Sequence, residues 1–276
     1  MRHDLAASLH AAGVRRDVTL PPMRTPAGFA PELERAFRRV LLDGYALRAA
    51  VLLDARRVRV GMIHDDAAFM VPFEALRGAF ARSLASLRNI LRRIMGVWAV
   101  RHAATWTSQI EAVAGKEVAA AVPHGGAQSE IELALQKNMA LIRGVTDEVA
   151  KRAEVAITDL ITSRADEAKI AKAFDAAFGW GAARSRLIAR DQTGKFWTTL
   201  NRIRMQQAGV TEYEWWTKED ERVRGNPDGL YPKSRPSHWD RHGQIFKWDS
   251  PPSDGHPGEP ILCRCIARPI IRASKR

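Results

Sequence analysis

Five residues toward the C-terminal end carry ligand chemistry: His238, His242, His256, Cys263 and Cys265. Thiolate and imidazole are the groups zinc prefers, and four of them could close a tetrahedral site. Their spacing departs from the paired C-x-x-C or H-x-x-x-H hooks of common structural zinc motifs, and C-x-C is a poor chelate. In the alternative, Cys263 and Cys265 pack as small apolar groups while His238 hydrogen-bonds to backbone or to an acid such as Asp220. The expectation is no cofactor, with His238, His256, Cys263 and Cys265 as the zinc candidates. On a strand both cysteines of C-x-C share one face and Arg264 takes the other. A bridge between such close neighbours would be strained, so free thiols are expected. Arg222 and Arg224 also alternate onto one face. A guanidinium near Asp220 or Asp240 can make a bidentate pair that pins a turn-rich segment, with a phosphate hook as the competing role.

Catalytic signatures are missing. The chain has no P-loop, G-x-G-x-x-G, H-E-x-x-H or G-x-S-x-G. The acid runs Asp65-Asp66 and Glu219-Asp220-Glu221 read as solvated turns. An HNH-type metal nuclease would need an acid-His pair with a downstream Asn-His, and none completes one. No catalytic residue is therefore assigned.

The elements that must position these groups are three short apolar runs between Gly, Pro and Asp clusters. Tyr213 to Thr217, Gln244 to Trp248 and Cys265 to Ile271 read as strands. Most of Trp215, Trp216, Trp239 and Trp248 should be core of this small cap, with one of them available to line an interface. Upstream the pattern is helical. Leu33, Phe37, Val40, Leu41 and Tyr45 share one face from Glu32 onward. A long helix is expected over roughly Glu74 to Thr105, with Leu84, Leu87, Leu91, Ile94 and Trp98 as its stripe. Arg88, Arg92, Arg93 and Arg101 lie around that stripe, either as a solvated flank or facing DNA phosphate. His124, Gly125 and Gly126 mark a boundary. Beyond it Ser129 and Glu132 spell a capping box. Gly144 should interrupt the helix, with Thr146 capping the next. Ser163 should cap a short helix from Arg164 to Phe178 that ends at Gly179, and the last helix should run from Ala182 to about Ala208 and end at Gly209. The prolines at 21, 22, 26 and 31 make residues 1–31 an extended arm.

Lysine and arginine outnumber acids 43 to 31, for a formal net charge of +12. Such an excess fits a polyanionic partner or an arginine-rich surface. No signal-peptide core and no run of membrane-spanning length is present, so a soluble protein is expected.

The C-terminal pattern resembles the phage Mu F-like minor head proteins, also called phage head morphogenesis proteins. The residues that carry the likeness are Trp216, Thr217, Asp220, Arg222, Val223, Arg224, Ser237, His238, Gly243, Phe246, Pro251, Pro252, Gly255, Pro257, Gly258, Cys263, Arg264 and Cys265, in that order. Arg184 to Gly209 matches the helix that precedes this signature. The chain departs from the family between Arg224 and Ser237, where it carries a longer loop. The expected fold is α+β: an arm at 1–31, a helical region at 32–126, and a minor-head-protein domain at 127–276, helical to 209 and a β-rich cap from 210. The resemblance implies a non-catalytic head protein of the virion, assembled in the host cytoplasm. Its implied partners are the portal protein, the major capsid protein and, non-specifically, double-stranded DNA, with no membrane. The alternative is a metal-dependent nuclease or a toxin-like effector using the His/Cys cluster.

Overall fold

The computed structural model describes residues 3–59, 66–123, 126–163 and 165–273. Asp65, His124, Gly125 and Arg164, to which the sequence reading assigned roles, lie outside them. The fold is α+β and mainly helical, with one small antiparallel sheet. Seven helices are described: α1 (Leu5–Ala11), α2 (Phe29–Tyr45), α3 (Arg48–Arg59), α4 (Asp66–Ala114), α5 (Lys116–Ala121), α6 (Gln128–Thr162) and α7 (Glu167–Gln207). The strands are β1 (Val18–Thr19), β2 (Glu212–Trp216), β3 (Ile245–Lys247) and β4 (Ile266–Ile271), in the order β1-β4-β2-β3. The three expected strands are all present. None of the described helices is long and apolar enough to cross a membrane.

The chain forms two compact units, and they interleave in sequence rather than dividing at residue 126. One comprises residues 30–94 and 133–190. Its core is the apolar faces of α2, α4, α6 and α7: Phe37, Leu41, Leu76, Phe80, Leu135, Ile142, Val149, Phe174 and Phe178 are all buried. Arg48 makes a bidentate pair with Asp175 (2.7 and 2.9 Å), and Tyr45 donates to the same carboxylate at 2.8 Å.

The other unit comprises residues 1–29, 95–132 and 191–276 and holds the sheet. Its core joins Leu5, Leu9, Leu20 and Met23 to Trp106, Ile110, Met205, Tyr213, Trp215, Trp248 and Ile271. The N-terminal segment is therefore no extended arm over its whole length. Its leucines form α1, Asp4 caps that helix by accepting from Ala7 N at 3.0 Å, and Val18 pairs with Ile271 across the sheet. Three of the prolines, at 21, 22 and 26, lie between β1 and α2, and Pro31 sits in the first turn of α2. Burial of four large apolar side chains outweighs the entropy of ordering this segment.

Several helix boundaries also differ from the expectation. Gly144 and Gly179 do not interrupt; α6 and α7 run straight through them. Packing decides here, since a lone glycine costs only about 1 kcal/mol against alanine. Thr146 sits inside α6, donating to Arg143 O at 2.8 Å instead of capping. Ser129 lies within the first turn, its hydroxyl on Glu130 rather than on backbone. The cap of α7 is Asp166, which accepts from Lys169 N at 2.8 Å, while Ser163 bonds back to Leu160 O.

Candidate functional site

Between β2 and β3 the chain makes a long irregular excursion over residues 217–244, and between β3 and β4 a second one over 248–265. His238 comes from the first loop. Cys263 and Cys265 come from the end of the second, just before β4. Their ligand atoms all lie within 4.8 Å of one another. His238 Nδ1 stands 3.4 Å from Cys263 Sγ and 3.6 Å from Cys265 Sγ. Both cysteines are free thiols, as expected.

The other ring nitrogen, Nε2, is 2.9 Å from Asp254 Oδ2, and Arg241 donates to the second oxygen of that carboxylate at 2.7 Å. His238 is 2% exposed. The indole of Trp215 meets its ring edge to face, and Arg241 covers the other part of Trp215 at 4.8 Å. Gly258 N–H donates to Cys263 Sγ at 3.4 Å. That donor depends on a glycine. Its φ is +86°, and a Cβ there would collide with Thr198 of α7.

The electrostatics follow from this packing. The Cys265 thiol hydrogen-bonds to Cys263; burial opposes this, but with His238 alongside the Cys263 thiol falls well below its ordinary range. Cys265 moves the other way, well above it, because it keeps the proton it shares with Cys263 and is buried. Burial pulls His238 down, yet Cys263 and Asp254 outweigh it and hold the imidazole above its usual value. Burial lifts Asp254, but His238 and Arg241 keep it below the usual carboxylate range. The result is a thiol–imidazole pair, with Cys263 drawn toward the thiolate and His238 toward the imidazolium, oriented by a carboxylate. Such a chain can act as a nucleophile or hold a soft metal.

The remaining sequence candidates separate into other sites. His256 does not join the cluster: its Nδ1 meets the Tyr213 hydroxyl at 2.9 Å, and its ring packs on Tyr213 and Trp248. His242 bonds Thr217 Oγ1 at 2.7 Å and lies against Trp216. Asp220 is not the partner of His238. It takes both Nη atoms of Arg264 in a bidentate pair; residues 263–265 precede β4 rather than lying on a strand, so the expected strand alternation does not place this arginine. Arg224 donates to Ile261 O at 2.6 Å, and Arg222 N–H to Asp220 Oδ1 at 3.0 Å. Ser237 Oγ caps the turn at Asp240 N, Gly243 N–H returns to Trp215 O, and Phe246 stacks on Tyr213. Gly255 and Pro257 flank His256 in the second loop, where Gly255 takes a φ of +95°. Arg88, Arg92 and Arg93 are exposed in one unit, and Arg101, also exposed, lies over Trp98 in the other. Sequence reasoning missed Asp254 and Arg241. Both sit in turns with no periodicity, and nothing in their spacing ties them to His238.

A pocket of about 220 Å³ opens on the cluster, lined by His238, Cys263 and Cys265 together with Lys218, Arg222, Arg224 and Arg264. No carboxylate is among its lining residues.

The family profile described as "Phage Mu protein F like protein" matches residues 112–268. A protein of Haemophilus influenzae, described as "Uncharacterized protein", is 37% identical over 89 residues, which is 32% of this chain and 17% of that relative. The chain thus spans less than a fifth of that relative's length. No solved structure matches.

Proposed function

The chain belongs to the Phage Mu protein F like family, and from that premise we propose that it is a minor head component of a bacteriophage or prophage that docks on portal or capsid subunits. The observation that carries this reading is the family match across residues 112–268, which takes in β2, β3, the start of β4, both long loops and the thiol–imidazole cluster. Head morphogenesis is the work this membership points to, and the protein's place would be the phage head after assembly in the host cytoplasm.

The finer reading is that the work is binding rather than bond making. The pocket beside the cluster offers cations and no general base besides His238, which is already engaged on both nitrogens. The net charge of +12 suits a protein that sits near packaged DNA. Arg88, Arg92 and Arg93 give α4 an exposed basic stretch for non-specific phosphate contact.

The deciding experiment is mass spectrometry of purified particles together with affinity capture of the portal protein by the tagged chain. Presence in the particle and recovery of portal are expected. Particles lacking the chain, or turnover of nucleic acid by the purified protein, would sink the reading. For DNA, replacing Arg88, Arg92 and Arg93 together with alanine should weaken filter retention equally for all sequences. It should also reduce the slope of log affinity against log salt by about 3.

A further inference from the structure

We infer that Cys263, Cys265 and His238 form a binding site for one soft divalent metal ion of the zinc class, with Asp254 orienting the histidine and the fourth position left to a ligand from outside the chain. The inference stands apart from the head role, since it concerns how this unit is held together.

Geometry comes first. A tetrahedral zinc with a Zn–S bond of about 2.3 Å and a Zn–N bond of about 2.0–2.1 Å separates its sulfur and nitrogen ligands by about 3.5 Å. The two separations here are 3.4 and 3.6 Å. A thiol nucleophile needs one sulfur on its imidazole. The second sulfur on the same nitrogen has no part in that chemistry, whereas a metal uses both.

The surroundings fit as well. A metal-bound histidine commonly gives its other N–H to a carboxylate, which fixes the tautomer and the ring plane. His238 has this form: Nδ1 faces the thiols and Nε2 faces Asp254, itself held by Arg241. The Gly258 N–H aimed at Cys263 Sγ offsets part of a bound thiolate's charge. All three ligand residues line the open pocket, so a metal has a route in. The fourth ligand would be water or a small anion, because the other lining residues bring cations, apolar groups and the neutral hydroxyls of Tyr231 and Ser234.

A mechanical reason points the same way. His238 and the cysteines lie on two different loops, which meet through Asp254 with His238 and Arg241, through Arg264 with Asp220 and across a β3 of only three residues. One ion would tie both loops to the start of β4, which is how small, irregular domains gain stability.

The test uses the full chain, purified under reducing conditions without chelator. Its metal content is measured by plasma mass spectrometry, and the stripped protein is titrated with cobalt(II). Close to one zinc per chain and a thiolate-to-cobalt charge-transfer band are expected. Cys265→Ser should lose most of that band. Asp254→Asn should weaken the metal by about 10- to 100-fold while keeping the spectrum. His242→Ala, whose ring bonds Thr217 and packs on Trp216 outside the cluster, should change neither. A wild-type chain without metal and without the cobalt band would overturn the proposal. So would a Cys263–Cys265 disulfide in the native protein, or metal retained in full by Cys265→Ser. The wild-type titration decides the matter even where a ligand variant does not fold.

Discussion

His102 on α4 is fully buried, with Nε2 on Asn201 Oδ1 at 2.9 Å and Nδ1 accepting from Arg204 Nε at 3.1 Å. Burial, then the Arg204 charge, pushes its pKa from 6.5 down to about 3. The folded value lies below the unfolded one, so the unfolded chain takes up the proton first. This contribution to stability is complete above pH 6.5 and is lost as pH falls toward 3. Going from pH 7.5 to 5 should therefore cost about 2 kcal/mol, measured by urea unfolding, and His102→Gln should remove most of that slope. Asp220 and Asp254, both held below the usual range, add losses of the same sign at lower pH. Arg264→Ala breaks the bidentate pair with Asp220, and since both groups are partly exposed the cost should be about 1 kcal/mol. Lysine should restore little of it, because it cannot offer two parallel donors. A bidentate pair at Asp220 was one of two choices the sequence offered, Asp240 being the other. The carboxylate on His238 was not legible there, because it depends on how two turn-rich loops meet.

At the scale of elements, glycines separate what propensity says from what packing decides. The sequence suggests Gly144 as an interruption and Gly179 as a C-cap. In the fold neither has any atom within 4 Å of where a Cβ would stand, and both lie inside long helices. Gly144→Ala and Gly179→Ala should each stabilise by about 0.5–1 kcal/mol in chemical denaturation. Gly181, two residues on, is different. A Cβ there would stand 2.6 Å from Val149 Cγ2 and 3.4 Å from Leu41, so α2, α6 and α7 approach closely at this point. Gly181→Ala should destabilise by about 1–3 kcal/mol. Periodicity revealed the apolar faces of these helices and the three principal strands. It could not reveal whether a glycine is a stop or a contact, since that depends on the neighbouring helix. The two-residue strand β1 was hidden for a similar reason: its partner is at the far end of the chain.

For the whole molecule, the largest difference from the expectation is the N-terminal segment. Leu5, Leu9, Leu20 and Met23 pack into the core that contains Trp215 and Ile271. Residues 3–29 should resist limited proteolysis in the isolated protein as well as in particles, read by mass spectrometry of the fragments. Leu5→Ala or Leu9→Ala should cost about 2–5 kcal/mol of the stability of this unit. The α+β class and the cationic character were legible from composition and pattern. The interleaving of the two units was not, because α4, α6 and α7 each contribute residues to both.

The pairing of Val18 with Ile271 is reinforced by Asp17, which receives Arg272 Nη1 and the Ala273 N–H, the latter across 256 positions of chain. During synthesis, Val18 emerges from the ribosome long before its mate has been translated. The sheet therefore cannot be completed on the nascent polypeptide until residue 271 is free, and the early segment must wait, its leucines uncovered, for the late one. A premature stop shortly before Ile266 would thus deprive the start of the protein of its seat, and chaperone dependence should rise sharply for any such truncated product.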